Sequence, residues 1–354
     1  MGSLSDNFRN IEPYVPGEQP QDKDRVKLNT NENPYPPSPK ALEAINNLDG
    51  KTLNLYPDPE ASELVGAIAD YHGVNYDNVF VGVGSDDVIA MCFMAFFNSG
   101  KPILFPDITY AFYDVWAELF KIKYETVPLD DDFKIVKEDY YRDNGGIVFP
   151  NPNAPTGICM GLDDIKDIIE HNRDVIVIVD EAYIDFGGES AEGLISKYNN
   201  LVVTRTFSKS RSMAGMRIGY ALADKELITQ LKTIKNSYNS YTMSTAAIKL
   251  GAAAIADEEY FRETVEKIIT TREETANRLK VLGFTMTESK SNFLFASHSK
   301  IPARRIFEQL KEKRIFVRYF DKPRIDNYLR ITIGTDEEMD KLIAALYEIV
   351  GESK

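Results

Sequence analysis

The chain has 354 residues, 43% of them hydrophobic, and a formal net charge of −14. That length exceeds one typical domain, so two are expected, and the acidic balance argues against a nucleic-acid partner, which would need clustered Lys and Arg to meet phosphate. No stretch approaches the roughly 20 apolar residues of a membrane span, and the polar residues 1–20 lack the apolar core of a secretory leader. Asp6 stands where an N-myristoylation motif needs Ser or Thr. Two cysteines, Cys92 in an apolar run and Cys159 after a loop, fit a reduced, cytoplasmic compartment. His72, His171 and His298 show no metal-ligand spacing, so no metal is expected.

In chain order, the Pro-rich stretch 33–39 (NPYPPSP) reads as an irregular entry, and a helix pattern starts directly after it. A second helix is expected over 60–71. Short runs rich in Val, Ile and Phe follow at 79–83, 102–105, 146–149, 175–179, 201–204 and 217–221. Amphipathic segments lie between most of them, at 87–97, 111–120, 162–171 and 225–235. This alternation predicts an α/β architecture with a mainly parallel sheet between helices. The unbroken Ile176-Val177-Ile178-Val179 suits a central strand covered on both faces. From residue 244 the pattern changes to long helices, 244–257 and 258–282. A smaller α+β unit then follows, with strands at 292–296, 315–318 and 328–333 and helices at 303–313 and 337–349. The boundary is placed near residue 245.

In open α/β sheets, ligands bind beyond the carboxyl ends of the strands. The residues just past each run are therefore the candidates. Gly84-Ser85-Asp86-Asp87 opens a helix; Asn151 to Gly157 reads NPNAPTG. Asp180-Glu181-Ala182-Tyr183, Thr206-Phe207-Ser208-Lys209 and Arg217 complete the set. Each has a structural alternative: Asp180 as a turn residue, Ser85 as a helix cap, Asp86 and Asp87 as partners of the helix dipole, Lys209 as a solvated lysine. Their conjunction meets the separate needs of pyridoxal phosphate. Lys209 supplies the amine for a Schiff base. Asp180 supplies a carboxylate for the pyridine nitrogen. Tyr183 and Asn153 are the phenol and amide for the ring's 3′-oxygen. Ser85, Ser208 and Arg217, with a helix N-terminus, would grip the phosphate. A dinucleotide site fails because Asp87 stands where G-x-G-x-x-G needs its third glycine, and no Walker A motif is present.

Asn153-Ala154-Pro155-Thr156-Gly157, Asp180-Glu181-Ala182-Tyr183 and the Lys209-centred motif with Ala214-Gly215-Met216-Arg217 resemble the signature of fold-type I aminotransferases. Within these, the histidinol-phosphate aminotransferase family is the nearest likeness. It is carried also by Tyr14 in EPYVPG, LNTNENPYPPSP, Tyr56-Pro57-Asp58, GVGSDD, Tyr110 after PDIT, and YLRITIG. The resemblance implies a large cofactor-binding domain over 31–245 with a seven-stranded sheet, a small domain over 246–354, and an arm over 1–30 packing with the small domain. It adds Gly84, Asp86, Tyr110 (stacked on the ring) and Thr206 to the cofactor contacts. Tyr56 would reach across a homodimer interface to the neighbour's cofactor phosphate; the alternative is local packing beneath helix 60–71. Arg330, assisted by Tyr14, Asn31 and Arg318, would bind the substrate's anionic end. Where the family has Asn before Pro-Thr-Gly this chain has Ala154, so Asn153 is assigned the amide role.

The activity so implied is transamination between L-histidinol phosphate and 2-oxoglutarate in histidine biosynthesis, with Lys209 as base and acid. The scaffold alone leaves rivals open: an aromatic amino-acid aminotransferase, a phosphothreonine decarboxylase-like lyase, or a catalytically silent pyridoxal-binding protein. The intact Lys209, Asp180, Tyr183 and Arg217 set argues against the last.

Overall fold

A computed structural model describes residues 3–21 and 24–351; residues 1–2 and 22–23 of the expected N-terminal arm lie outside them. The elements in chain order are β1 (Val26–Leu28), α1 (Pro39–Asn46), α2 (Ser62–His72), β2 (Val79–Gly82), α3 (Ser85–Phe96), β3 (Ile103–Pro106), α4 (Tyr113–Phe120), β4 (Tyr124–Val127), β5 (Ile147–Pro150), α5 (Leu162–His171) and β6 (Val177–Asp180). They continue with β7 (Leu201–Thr206), β8 (Gly219–Ala223), α6 (Lys225–Tyr238), α7 (Thr245–Ile255), α8 (Glu258–Val281), β9 (Phe284–Met286), β10 (Phe293–His298), α9 (Ala303–Glu312), β11 (Ile315–Tyr319), β12 (Leu329–Thr332) and α10 (Asp336–Gly351).

The α/β architecture expected from the alternating runs is present. Seven strands form one sheet in the order β2-β8-β7-β6-β5-β3-β4. Only β8 runs antiparallel to its neighbours. β2, β3, β5, β6, β7 and β8 are buried at every position, as continuous apolar runs covered on both faces should be. One face packs on α3, α4 and α6 through Val88, Phe93, Trp116 and Leu231. The other packs on α2, α5 and α7 through Leu64, Ile168 and Ile248. Each fully buried aliphatic side chain there contributes about 1.5–3 kcal/mol.

Helix ends follow local chemistry. Ser38 caps α1 with Pro39 at the first helical position, Asp224 caps α6 and Ser244 caps α7; each side-chain oxygen takes one otherwise unpaired N–H. Three strands escaped the sequence reading. β4 lies at the sheet edge with the exposed Glu125 and Thr126 at its middle, so it lacks the apolar run that marks a central strand. β1 and β9 are three residues each, too short for a period to register.

The second sheet has five strands, in the order β1-β11-β12-β10-β9. Its core joins α8, α9 and α10 through Ile268, Ile306 and Leu342. β1 pairs parallel with β11, so the segment leading from the N-terminal arm belongs to this sheet. Helix α7 packs on α1 and α2, and its Ala247, Ile248 and Ile255 enter the large-sheet core. The division of the chain that we propose therefore falls between α7 and α8 rather than at 245.

Antiparallel β8 places its first residue at the carboxyl edge of its neighbours: Gly219 is the register partner of both Thr206 and Gly82. A Cβ at Gly219 would lie 2.2 Å from the backbone nitrogen of Ser85 and 2.6 Å from the Gly84 carbonyl oxygen. Backbone cannot swing aside as a side chain can. Gly219→Ala should therefore cost about 2–3 kcal/mol, read as a lower urea midpoint. Gly215→Ala, where an added Cβ meets nothing within 4 Å, should stay within about 0.5 kcal/mol.

Candidate active site

The parallel strands end along one edge, and the loops leaving them carry nearly all the chemistry-bearing side chains read from the sequence. Asp180 is the last residue of β6 and is 4% exposed. Its carboxylate accepts hydrogen bonds from Tyr113 (3.0 Å) and Thr204 (3.3 Å), and among the described residues no cation pairs with it. Burial pushes its pKa up to about 6, against the pull of the two hydroxyls. Neither Tyr113 nor Thr204 was singled out from the sequence. Thr204 is the register partner of Asp180 across β6 and β7, a fact that needs the strand pairing. Tyr113 opens α4 and is fully buried, where a sequence shows only one more aromatic.

The turn after β7 is organised by Thr206. Its hydroxyl donates to Ser208 Oγ (3.0 Å) and takes the Ser208 backbone N–H (3.1 Å). Lys209 follows. Its Nζ contacts the Thr30 carbonyl at 3.4 Å and stands 5.8 Å from the centre of the Tyr183 ring. Asn33, from the segment after β1, donates to the Lys209 carbonyl (3.0 Å) and so pins the turn.

Across the edge, Gly84 precedes α3 at φ +86. That φ favours glycine, and a Cβ there would also push the Arg217 guanidinium, 2.4 Å away, out of its present place. Arg217 itself holds a left-handed φ of 52, which costs a non-glycine residue about 1 kcal/mol or more. Its guanidinium pairs with Asp86 (2.9 Å) and lies 3.5 Å from Ser208 Oγ. The Tyr110 hydroxyl donates to the same Asp86 (2.7 Å). Arg217 and Ser208 thus meet beside Gly84, directly ahead of the N-terminus of α3 that Ser85 opens, and a helix N-terminus favours an anion.

The sequence assigned Asn153 an amide role at the ring oxygen. In the structure its amide donates to the Ile108 carbonyl (3.0 Å) and Thr156 Oγ1 (3.1 Å), and its oxygen accepts from Thr109 (3.2 Å). Both amide hydrogens are spent inside the protein, so we read Asn153 as a brace between the loops after β3 and β5. Tyr183 has a different amide at hand, Asn31 Nδ2 at 2.9 Å.

The small sheet contributes the opposite wall. Arg318 on β11 and Arg330 on β12 are register partners, and like charges directly opposite repel. Arg330 Nη2 donates to the Asn29 carbonyl (3.0 Å), while its buried Nε has no partner. Burial, with Arg318 adding, pulls its pKa below the ordinary value. No carboxylate among the described residues sits within ion-pair distance of either guanidinium. Tyr14 stacks on Phe112 (4.2 Å) and lies near Arg330. Tyr56 stands apart from this group. It is 81% exposed and stacks on Tyr241 at 4.7 Å.

These features fit pyridoxal phosphate: a buried carboxylate short of a cation, an amine held only by a carbonyl, and a glycine-cleared helix N-terminus beside an arginine. The family model for aminotransferase class I and II matches residues 23–346. The chain is 53% identical to histidinol-phosphate aminotransferase of Clostridium beijerinckii over 99% of this chain and 98% of that one. It is 52% identical to the enzyme of that name from Brachyspira hyodysenteriae, over 98% of each. Among solved structures, histidinol-phosphate aminotransferase from Sinorhizobium meliloti in complex with pyridoxal-5′-phosphate superposes with a TM-score of 0.85 at 25% identity, covering 92% of this chain and 91% of that one. L-threonine-O-3-phosphate decarboxylase from Porphyromonas gingivalis gives 0.78 at 20% identity, covering 92% and 99%; that likeness shows the fold alone.

The raised Asp180 pKa has a consequence for cofactor-free protein. Its folded value of about 6 lies above the unfolded value of about 3.9. Below pH ~4 the carboxyl is neutral in both states and carries no penalty. As pH rises through 6, ionising it in the folded protein costs on the order of 2–3 kcal/mol. Cofactor-free Asp180→Asn should therefore resist urea better than wild type at pH 7.5 by roughly that amount, with the gap closing below pH ~4. A difference that did not vary with pH would mean the carboxylate is already compensated.

Proposed function

Since the chain belongs to the class I and II aminotransferases and, within them, to the histidinol-phosphate aminotransferase family, we propose that it catalyses pyridoxal-phosphate-dependent transamination between L-histidinol phosphate and 2-oxoglutarate. The observation that carries the substrate reading is the Arg318–Arg330 pair, two guanidiniums with no carboxylate between them. A phosphate or an α-carboxylate would cancel their repulsion. Both substrates bring an anion, so one pocket serves each half-reaction in turn. An aromatic amino acid would also offer a carboxylate, but the relatives at 50% identity and above carry the histidinol-phosphate name.

When bound, the cofactor supplies an electron sink for the pair left behind when a proton leaves the substrate's amino-bearing carbon. The chain's own residues do the rest. Lys209 Nζ would hold the cofactor and, when free, would be the base that takes that proton and the acid that returns it. Asp180 would keep the ring nitrogen protonated, an ion pair worth most in a buried setting. Ser85, Ser208 and Arg217 would hold the phosphate end, Tyr110 would pack against the ring, and Tyr183 would donate to its 3′-oxygen. Arg330 and Arg318, with Tyr14 nearby, would orient the substrate by its anion. The resulting setting is cytoplasmic histidine biosynthesis.

The family resemblance also supports a homodimer in which Tyr56 completes the neighbour's phosphate site. Its 81% exposure, beside the exposed Leu53, Leu55 and Tyr238, suits a face that a second copy would cover. Helix packing does not account for it.

Four measurements bear on these assignments. Lys209→Ala should lose turnover and the absorption of lysine-bound cofactor while its far-ultraviolet circular dichroism stays that of wild type; retained absorption would place the cofactor elsewhere. Arg330→Gln should lower kcat/KM for histidinol phosphate by roughly 10²-fold, the loss of a charged hydrogen-bonded contact of about 2–3 kcal/mol. In single half-reactions, histidinol phosphate should bleach the wild-type absorption at far lower concentration than phenylalanine or phosphothreonine; equal response would leave the substrate class undetermined by this pocket. For the dimer, Lys209→Ala protein is mixed with Tyr56→Phe protein. The mixed dimer should regain cofactor affinity at the one site that keeps Lys209 and borrows an intact Tyr56. Affinity independent of the partner would rule out a shared site.

A further inference from the structure

A chain of hydrogen bonds with a single allowed direction runs from β12 to Tyr183. It begins at the Asn31 backbone N–H, which can only donate and does so to Thr332 Oγ1 (3.0 Å). The Thr332 hydroxyl in turn donates to Asn31 Oδ1 (3.0 Å). That fixes the amide, so Nδ2 faces Tyr183 and donates to its hydroxyl oxygen (2.9 Å). Reversing the amide would leave the Thr332 hydrogen without an acceptor, and a buried polar group left unpaired is penalised. Thr332 is 2% and Asn31 1% exposed. Asn31 sits at a left-handed φ of 57, a conformation asparagine tolerates. Its carbonyl is held by Asn292 Nδ2 (3.0 Å), so the relay cannot turn over by a backbone swing.

We propose that Thr332 is a positioning residue which, through Asn31, makes Tyr183 an acceptor on the protein side and so commits its own hydrogen to the bound cofactor. The inference rests on the pyridoxal reading of Lys209 and deepens it. It gives Asn31 a role other than the substrate contact implied by resemblance, and it does so in a chain where Ala154 stands in place of the amide usual beside Pro-Thr-Gly. Because Thr332 lies two residues beyond Arg330 on the same strand, the substrate's anion anchor and the group that tunes the ring oxygen share one rigid element. Phe293, the register partner of Thr332, braces the Tyr183 ring edge-on at 5.2 Å.

The test reads the pH at which the absorption of lysine-bound cofactor changes in the holoenzyme. The titratable groups facing Tyr183 are Lys209 from the turn after β7, Arg330 from β12, and Tyr110 and Tyr113 at the start of α4; all are left intact. Losing a donor to the ring oxygen makes that oxygen more basic, which favours the protonated form beside it. Tyr183→Phe should therefore raise the midpoint. Thr332→Val should raise it in the same direction by about one pH unit, and adding it to Tyr183→Phe should change nothing further. Thr332→Ser, which keeps the hydroxyl, should titrate like wild type. A wild-type midpoint in Thr332→Val, an additive shift in the double variant, or a Thr332→Ser midpoint as displaced as that of Thr332→Val would each overturn the relay. A wild-type protein with no lysine-linked absorption would instead overturn the cofactor reading on which it rests.

Discussion

The site is organised around a carboxylate that the fold buries without a cation. Asp180 ends a strand whose every residue is buried, and the two hydroxyls that reach it offset part of its desolvation but none of its charge. Left alone, such a group keeps its proton to a higher pH than an exposed carboxyl does, and above that pH it stays ionised only at a cost in stability. A cationic ring nitrogen changes that balance, because an ion pair in low dielectric is much stronger than one in water. The protein thus carries a deficit that one class of ligand makes good. The alternation that turns Asp180 toward Tyr113 turns Glu181 to the other face. There Arg205 meets Glu181 (3.2 Å), Asp185 (3.3 Å) and Glu192 (3.0 Å). Two carboxylates adjacent in sequence therefore face opposite fates, one neutralised within the chain and one reserved.

A second uncompensated charge, of opposite sign, stands on the small sheet. Arg318 and Arg330 oppose each other across β11 and β12, where an arrangement chosen for stability alone would alternate charges. The cleft accordingly demands a cation at one wall and an anion at the other. A protonated ring and a phosphate-bearing or carboxylate-bearing substrate satisfy the two demands together, which explains how a chain of net charge −14 can take anionic substrates. The relevant potential is local, at two arginines shielded from the acidic surface.

Most of this could be read before the fold was known, and the exceptions have physical causes. Buried parallel strands announce themselves as unbroken Val and Ile, so β5, β6 and β7 were recognisable within a residue or two. Edge β4 and the three-residue β1 and β9 were not, since their stability comes from neighbours rather than from their own pattern. Lys209, Asp180 and Tyr183 were legible because they end or follow parallel strands, and Arg217 because it lies just before antiparallel β8 at the same edge. Their supports were not: Tyr113 is 67 residues from Asp180, and Thr332 is 301 from Asn31, and no local rule joins them. Asn153 shows the converse limit. Its motif signals an amide near the ring, yet the number of hydrogens an amide has to give, all committed to Ile108 and Thr156, could be counted only in three dimensions. Helix α7 was placed by the change in pattern at 244, whereas its packing partners are α1 and α2.

The separation between Lys209 and Tyr183 is set from behind rather than by their own contact. Tyr183 packs into the core of the small sheet with Phe293 and Phe186, while Lys209 rides on a turn of the large one. Two bodies joined only at a cleft would let that distance wander. Ser210, next to Lys209, donates to Asp185 at 2.5 Å, and Asp185 is two residues past Tyr183. Arg205 on β7 ties the same Asp185 to Glu181. The buried ions behind the sheet thus clamp the two turns to each other. A buried ion cluster of this kind adds little net stability over an apolar packing of equal volume, because desolvation cancels much of its attraction. What it confers is direction: charges satisfied by only one arrangement of partners hold that arrangement, and with it the spacing of Lys209 and Tyr183.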